Sequence, residues 1–159
     1  MKQLWAPWRS EYIKADKKDE CLFCTATSKG PKDGLVIFDG SLSLVMLNKY
    51  PYNSGHLMVS PKRHVSRLDD LTPEESIDLF RLLRHSSATL TKELNPEGFN
   101  IGMNIGKAAG AGIDAHLHMH VVPRWNGDTS YMPLLSDTKV VSEHIEATYT
   151  RLKPLFERI

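Results

Sequence analysis

Three histidines at alternate positions form the pattern in this chain that could do chemistry: His116, His118 and His120. The chain has seven histidines, and three of them fall within these five residues. Since successive side chains of a β-strand point to opposite faces, a strand here would present all three imidazoles on one face. Imidazole titrates near neutral pH, so such a face would be reactive. The alternative is a half-exposed strand that carries histidine by chance on its solvent face.

A pair of cysteines, Cys21 and Cys24, is the second reactive pattern, and the chain contains no other cysteine. In a reducing compartment this spacing indicates metal binding or redox chemistry before a structural disulfide. Two cysteines at this spacing can bind one zinc ion through a tight turn, but a tetrahedral site needs two further ligands. A thioredoxin-like redox site would need a preceding strand, which the sequence lacks. Metal binding is therefore the favoured interpretation.

The segment 106–112 carries three glycines in seven residues and lies just before the histidines. Glycine permits positive φ angles and lets the backbone approach a ligand closely. The segment lacks the Gly-Lys-Ser/Thr ending of a Walker loop. Taken with the adjacent histidines, it predicts a phosphate cradle built from backbone N–H groups.

Composition and charge restrict the classes of function. A chain of 159 residues fits one domain, and its 41% hydrophobic content supports a globular core. Its 20 basic and 19 acidic residues leave a net charge of +1, which argues against binding to nucleic acid or to an anionic membrane surface. No apolar run approaches the roughly 20 residues of a membrane span, and the first residues lack the apolar core of a signal peptide. We therefore expect a cytoplasmic protein.

The segment 116–122 reads His-x-His-x-His-x-x with a hydrophobic residue at every x. It resembles the signature of the histidine triad (HIT) family of nucleotide hydrolases and nucleotidyl transferases. The resemblance extends to the segments 47–49 and 55–64, and 123–129 looks like the bacterial branch that includes diadenosine tetraphosphate phosphorylases. It covers about residues 20 to 130, which is most of the chain.

Chemical reasoning and the resemblance point to the same nucleophile. An uncharged imidazole nitrogen can attack the α-phosphorus and form a covalent intermediate, which divides one difficult step into two easier ones. His118 is central in the row and flanked by possible donors. The resemblance implies that His118 becomes the nucleotidyl-histidine, and we expect His120 to donate to a phosphate oxygen or to the scissile bridging oxygen.

The resemblance also implies a structural zinc site. Zinc-binding members of the family combine a Cys-x-x-Cys pair with one histidine after a Pro-Lys turn and with the first histidine of the triad. In this chain those ligands are Cys21, Cys24, His64 and His116. His116 would then position its strand instead of acting as a free general acid.

Five further residues correspond to nucleotide-binding positions of the family. The resemblance places Asn48 on the ribose, and the alternative is an asparagine that caps a turn. It places Asn104 on a phosphate or the leaving group, and the alternative is an asparagine that merely ends a strand. The backbone of Gly110, Ala111 and Gly112 would contact the phosphates.

The elements that must position these residues follow from periodicity and turn residues. We predict an α+β fold of the HIT type, with an antiparallel sheet, a long helix packed on it and a carboxy-terminal helix. Thr72, Pro73 and Glu75 predict the start of the long helix as N-cap, first helical residue and capping-box partner, and Asn95 with Pro96 predicts its end.

The predicted strands are 35–38, 42–47, 56–60, 99–105 and about 116–123, with a hairpin turn at 39–40. The predicted carboxy-terminal helix spans about 139–158, an aromatic amino-terminal arm spans 1–20, and one domain spans 1–159. The apolar stripe predicted to face the core along the long helix consists of Ile77, Phe80, Leu83, Leu90 and Leu94. His85 and His144 are predicted to be ordinary helix residues, not ligands.

These observations together predict an enzyme that cleaves a dinucleoside polyphosphate, or a related nucleotide, by phosphorolysis or hydrolysis. A nucleoside phosphoramidate hydrolase is the first alternative. Phosphoramidase members of the family usually carry Gln and Ser or Thr in the loop before the triad, and the segment 110–115 has neither. The second alternative is a nucleotide-binding module without turnover. The resemblance further implies a homodimer, paired across the long helix and an edge strand.

Overall fold

A computed structural model describes residues 20–30, 32–128 and 143–157 of the chain. The strands within these residues are β1 (Val36–Asp39), β2 (Ser43–Leu47), β3 (Leu57–Pro61), β4 (Gly98–Gly102) and β5 (Met119–Arg124). They form one antiparallel sheet in the order β1–β2–β3–β5–β4. The helices are α1 (Leu22–Thr25), α2 (Pro73–Leu94) and α3 (Ile145–Leu152), with 3-10 turns at Leu68–Asp70, Lys107–Ala109 and Lys153–Leu155. The predicted α+β class is confirmed.

The sheet is covered on both faces, so its central strands are buried along their whole length. One face packs against α2 and α3 through Val45, Val59 and Val121. The other face packs Met46 and Met58 against a smaller cluster that includes Phe23 of α1. Every residue of β2 and β3 is buried, which explains why neither strand alternates between apolar and polar residues.

The long helix α2 begins as predicted. The Thr72 side chain accepts the backbone N–H of Glu75, whose carboxylate accepts the backbone N–H of Thr72. Arg63 forms two hydrogen bonds with the same carboxylate, at 2.6 and 2.9 Å, and holds the pKa of Glu75 below its ordinary value. The helix ends at Asn95, which adopts a left-handed conformation with φ +46°.

The predicted apolar stripe of α2 was wrong at two positions. Ile77 and Phe80 are 70% and 65% exposed. The buried face instead carries Leu79, Leu82, Leu83 and Leu90, together with the small polar residues Ser86 and Thr89. These positions recur at the three- and four-residue spacing of one helix face. The prediction counted only large apolar side chains and therefore assigned two of them to the wrong side.

The strand that carries the histidines begins later than predicted. β5 starts at Met119, so His116 and His118 precede it. The backbone N–H of Leu117 donates to the carbonyl of Val65 at 2.6 Å. The residues just before β5 therefore bond to the segment that follows β3, outside the regular pairing of the sheet. His116 and His118 are also buried.

Other boundaries differ by a few residues. β4 ends at Gly102, short of the predicted end at residue 105, and the regular part of the carboxy-terminal helix is α3. The predicted helix residues 139–142 and 158, and the arm 1–20 except Glu20, lie outside the described residues. α3 is anchored to β1 because Tyr149 and Lys153 donate to the carbonyls of Val36 and Ile37.

His144 and His85, the two histidines predicted to be ordinary helix residues, contact residues other than the three triad histidines. His144 is the N-cap of α3 and accepts the backbone N–H of Glu146. The ring of His85 packs edge-on against Phe156, and its buried Nε2 has no hydrogen-bond partner among the described residues. None of the helices in the described part of the chain is long and apolar enough to cross a membrane.

Candidate active site and metal centre

His118 is held with one ring nitrogen unprotonated. The residue is buried, with 6% exposed, and its Nδ1 lies 2.8 Å from the carbonyl oxygen of His116. A carbonyl oxygen only accepts, so Nδ1 carries the proton and Nε2 of the neutral ring keeps its lone pair. Burial lowers the pKa of His118, and the bond to the carbonyl offsets this only in part. The ring is therefore neutral at pH 7 and able to act as a nucleophile.

His120 has the opposite tautomer, and a fourth histidine determines it. Nε2 of His56 lies 2.9 Å from Nδ1 of His120, and Nδ1 of His56 accepts the backbone N–H of Tyr52 at 3.1 Å. Because a backbone N–H only donates, His56 is protonated on Nε2 and donates to His120. Neutral His120 then carries its own proton on Nε2. Burial, followed by the proximity of His118, lowers the pKa of His120 to about 4, so the ring is neutral at pH 7.

Sequence reasoning placed His56 in a strand and missed its contact with the triad. The residue is fully buried just before β3. Gly55 brings it there, because its φ of +76° turns the chain and an added Cβ would lie 2.5 Å from Cδ1 of Leu94 in α2. The one signal in the sequence was a histidine that opens an otherwise apolar strand directly after this glycine.

The rings of His118 and His120 therefore bring a lone pair and an N–H donor together. Their centroids lie 4.9 Å apart, and the ring planes are nearly perpendicular at 78°. A neutral nucleophile beside a neutral donor can attack an electrophilic phosphorus atom while a phosphate oxygen receives a hydrogen bond. Neither ring has to change its protonation state before such a reaction at neutral pH.

Phe23 packs against the nucleophile from the Cys-x-x-Cys turn. Its ring centroid lies 4.8 Å from that of His118 and 5.1 Å from that of His116, and the side chain is almost fully buried. This contact is part of the burial that keeps His118 neutral. No sequence pattern assigns Phe23 to the site, because its partners lie far along the chain.

The predicted metal ligands are brought together. One ligand atom each from Cys21, Cys24, His64 and His116 lies within 4.8 Å of all the others. Nδ1 of His116 is 3.2 and 3.5 Å from the two sulfurs, and Nδ1 of His64 is 3.3 Å from Sγ of Cys24. Zn–S and Zn–N bonds of about 2.3 and 2.0 Å in a tetrahedron separate sulfur from nitrogen by about 3.5 Å. The cluster can therefore hold a metal ion with little adjustment.

The chemistry of the donors also suits a metal. Nε2 of His116 lies 2.8 Å from the carbonyl oxygen of Pro61, so this nitrogen carries the proton and the Nδ1 lone pair faces the sulfurs. A histidine whose other N–H is fixed by a backbone carbonyl is the usual arrangement of a metal ligand. Burial and the neighbouring Cys21 raise the pKa of the Cys24 thiol. A cation would reverse that shift, because metal ligation favours the thiolate.

Asn48 lies beside His56, the histidine that donates to His120. Its Oδ1 accepts the backbone N–H of Tyr50 at 2.9 Å, and its Nδ2 is 3.4 Å from Nδ1 of His56. The first contact is that of a turn-capping asparagine, which was the alternative to ribose binding. The second contact places the amide beside the site, so the geometry is compatible with both roles.

Asn104 and the glycine loop lead from β4 to the histidines. Gly102 pairs with His120 across the sheet, and Asn104 follows two residues later, half-buried. The loop then closes through Gly110, which has φ +84°, while Ala111 is half-buried and Gly112 is exposed. Beyond it, Ile113 packs against the cluster that contains Phe23. The loop thus ends against the same packing that supports His118.

Comparison with known proteins gives a consistent picture. The profile of the family described as HIT domain matches residues 29–127. An AP-4-A phosphorylase of Mycobacterium tuberculosis is 37% identical over 157 residues, covering 93% of this chain and 80% of its own. A bis(5'-adenosyl)-triphosphatase of Dictyostelium discoideum is 33% identical over 142 residues, covering 84% of this chain and 95% of the relative. An adenosine 5'-monophosphoramidase of Schizosaccharomyces pombe is 30% identical over 134 residues, covering 80% of this chain and 96% of the relative.

A solved structure also matches along most of its length. The Zn-bound histidine triad family protein of Mycobacterium smegmatis is 28% identical, with a TM-score of 0.69, and the match covers 87% of this chain and 94% of that one.

Proposed function

This chain is an enzyme of the HIT domain family, and we propose that it cleaves a dinucleoside polyphosphate, such as diadenosine tetraphosphate, through a covalent nucleotidyl intermediate on His118. The observation that carries the proposal is the pair of complementary tautomers, a lone pair on Nε2 of His118 beside an N–H on Nε2 of His120. The similarity to an AP-4-A phosphorylase supports the substrate class.

In the first step, Nε2 of His118 attacks the α-phosphorus. The N–P bond forms as the bond to the bridging oxygen breaks, and a nucleoside polyphosphate leaves with that electron pair. The bond from Nδ1 of His118 to the carbonyl of His116 orients the ring and disperses the positive charge that develops on it. A polyphosphate is a stable anion, so its departure makes little demand for a general acid.

In the second step, an oxygen of inorganic phosphate or of water attacks the same phosphorus, and the N–P bond breaks as its electron pair returns to Nε2 of His118. A proton carried by the attacking oxygen is released to solvent. With phosphate as acceptor, diadenosine tetraphosphate would give ADP and ATP, whereas water would give AMP and ATP. His120 donates its Nε2 proton as a hydrogen bond to a phosphate oxygen or the bridging oxygen in both steps, without transferring it to solvent between them. Fixed donors of this kind stabilise the charge of the transition state.

The remaining site residues are proposed to hold the nucleotide. Asn48 would bind the ribose, and Asn104 a phosphate oxygen or the leaving group. The backbone N–H groups of Gly110, Ala111 and Gly112 would contact the phosphates. The contact of Asn48 with His56 and the position of Asn104 two residues after Gly102, which pairs with His120, support the first two assignments, and the place of the glycines just before the histidines in the chain supports the third.

The metal is proposed to be one structural zinc ion, held by Cys21, Cys24, His64 and His116. The Zn-bound structural relative supports this choice. Such a closed set of four ligands leaves no position for substrate, so the ion would stabilise the fold and take no part in the reaction. Because its Nδ1 is committed to the metal and its Nε2 to a carbonyl, His116 has no proton to exchange with substrate.

A homodimer is proposed as the assembly, with the cytoplasm as its location. Ile77 and Phe80 are strongly exposed on α2, and Ile101 is 45% exposed on β4, an edge strand of the sheet. Exposed large apolar side chains are candidates for burial between two copies of a chain. The charge balance and the absence of polybasic segments support a nucleotide, not a nucleic acid or a membrane, as the partner.

The second candidate is hydrolysis of a nucleoside phosphoramidate, which the similarity to a monophosphoramidase favours. The same adduct on His118 would form, but the leaving group would be an amine that needs a proton. The loop 110–115 contains no Gln, Ser or Thr to assist it, and this difference supports the polyphosphate substrate.

One experiment distinguishes the candidates. The protein is incubated with diadenosine tetraphosphate, with and without inorganic phosphate, and in parallel with adenosine 5'-phosphoramidate, and the products are separated by anion-exchange chromatography. We expect ATP from the dinucleotide, accompanied by ADP or AMP according to the acceptor. Faster turnover of the phosphoramidate would favour the second candidate. If the protein binds nucleotide but forms no product from either substrate, the result would favour a nucleotide-binding module without turnover.

A further inference from the structure

The turn that carries His56 is closed by its own backbone. The N–H of Asn48 donates to the carbonyl of His56 at 3.0 Å, and the N–H of His56 donates to the carbonyl of Asn53 at 3.2 Å. Within this turn the N–H of Tyr52 points at Nδ1 of His56, at 3.1 Å. The tautomer of His56 therefore depends on the conformation of the residues just before it.

A polar cluster fixes this turn to the far end of β5. The buried side-chain amide of Asn53, which is 9% exposed, donates to the carboxylate of Asp128 at 2.7 Å and to the carbonyl of Pro123 at 2.9 Å. Arg124 holds the same carboxylate with two bonds of 2.5 and 2.8 Å, and the N–H of Trp125 donates to it at 3.1 Å. The turn is thus tied to the strand that carries His120 through Pro123, 70 residues along the chain, and to the residues just after that strand through Asp128.

We propose that Asn53 and Asp128 are positioning residues of the reaction, which hold the turn so that His56 keeps the tautomer that donates to His120. The two neutral tautomers of imidazole are close in energy, so the donor that meets Nδ1 decides between them. Two donors meet Nδ1 of His56 in this turn, the Tyr52 N–H at 3.1 Å and the side-chain amide of Asn48 at 3.4 Å. If the turn relaxes, both move off Nδ1, and the proton can settle there. His56 then offers its Nε2 as an acceptor.

The consequence reaches the reacting atoms. A His120 that faces an acceptor takes its proton on Nδ1, and its Nε2 becomes a lone pair. Two lone pairs, on His118 and His120, would then face the phosphate oxygens, and the donor would be lost. Binding of the nucleoside should change much less than turnover, because neither positioning residue is one of those proposed to contact it and Asn48 keeps its own bond to the N–H of Tyr50.

The test replaces Asn53 with Ala and compares Asn100→Ala as the matched control. Asn100 accepts a bond from the same Arg124, on the side away from Asp128, and is exposed. Long-range ¹H–¹⁵N NMR of the protein without nucleotide identifies which ring nitrogen of each histidine is protonated. We expect Nδ1-protonated His56 and His120 to appear in Asn53→Ala and not in the control.

Turnover gives the second readout, and this part rests on the proposed function. We expect kcat for diadenosine tetraphosphate to fall roughly tenfold to a hundredfold in Asn53→Ala, with KM within about twofold, as for partial loss of a general acid or donor. Wild-type tautomers in Asn53→Ala would overturn the proposal. So would equal changes in the control. Altered tautomers in a protein that turns over no nucleotide would instead count against the proposed function alone.

A second variant covers the case in which Asn53→Ala does not fold. Asp128→Ala leaves every residue of the turn in place and removes only the carboxylate. It should shift the tautomers in the same direction but less, because Asn53 keeps its bond to Pro123. If neither variant folds, the cluster is a folding element and the proposal is wrong.

Discussion

Replacing His118 and His120 separately with Asn tests which ring nitrogen performs which task. The amide group of Asn reaches about as far as Nδ1 of imidazole. At position 118 its N–H can still donate to the carbonyl of His116, and at position 120 its oxygen can still accept from His56. Each change therefore removes little except Nε2, which is the proposed nucleophile in one case and the proposed donor in the other.

The two losses should differ strongly in size. Removing the nucleophile of a covalent enzyme costs about 10⁶ in kcat, or about 8 kcal/mol. Removing one charge-stabilising donor costs about 10² to 10³, or roughly 3 to 4 kcal/mol. His118→Asn should therefore be about 10³- to 10⁴-fold more damaging than His120→Asn. Both variants should bind nucleotide with little change, because the proposed contacts of Asn48, Asn104 and the backbone of residues 110–112 remain.

The assay measures products from diadenosine tetraphosphate by chromatography and nucleotide affinity by calorimetry. His144→Asn is the matched control, because His144 is an exposed N-cap and Asn is an equally good cap. Trapping with labelled substrate should give an acid-labile, base-stable adduct in the wild type and none in His118→Asn. Near-normal turnover in His118→Asn, or a label on another residue, would refute the assignment and most of the mechanism.

Three further predictions concern metal, assembly and pH. Metal analysis should find one zinc ion per chain, and a chelator should lower the Tm, because a structural ion contributes folding energy. A protein that contains no zinc and whose Cys21 and Cys24 are freely alkylated would contradict this prediction. Light scattering at micromolar concentration should give the mass of a dimer for the wild type and of a monomer for the double variant Ile77→Ser, Phe80→Ser, whose wild-type side chains are strongly exposed. A monomer mass for the wild type would contradict the proposed dimer. The pKa of His120 is about 4 in the folded chain and about 6.5 when unfolded. As the pH falls, the imidazole is therefore protonated in the unfolded state before it is protonated in the folded state. The free energy of unfolding should accordingly fall between about pH 6.5 and pH 4. Urea titrations should show a smaller fall in His120→Asn.

The parts of the site that depend on residue type and spacing were predictable. Cys21 and Cys24 are close in sequence, and any compact turn brings their sulfurs together. The alternation of the histidines likewise fixes which rings share a side, and His118 and His120 do so although the regular strand begins between them. Local chemistry of this kind needs no knowledge of tertiary contacts.

The parts that depend on distant contacts were not predictable. His56 meets its partner 64 residues away, and its tautomer is determined by the backbone N–H of Tyr52 together with the side-chain amide of Asn48. The burial of His118 comes in part from Phe23, which is remote in sequence. Ile77 and Phe80 match a helical spacing as well as the buried leucines do, so only the packed sheet decides which side is the core.

The bond between His116 and Pro61 has a consequence for how this site could change during evolution. The imidazole of His116 is anchored to a backbone carbonyl by one nitrogen and faces the sulfurs with the other. If mutations removed Cys21, Cys24 or His64, that anchor and the carbonyl that orients His118 would both remain. Lineages could therefore lose the metal ligands one at a time while keeping the nucleophile aligned, provided the rest of the fold replaced the lost stability. Descendants without the cysteines but with an intact row of histidines are the expected trace of that path.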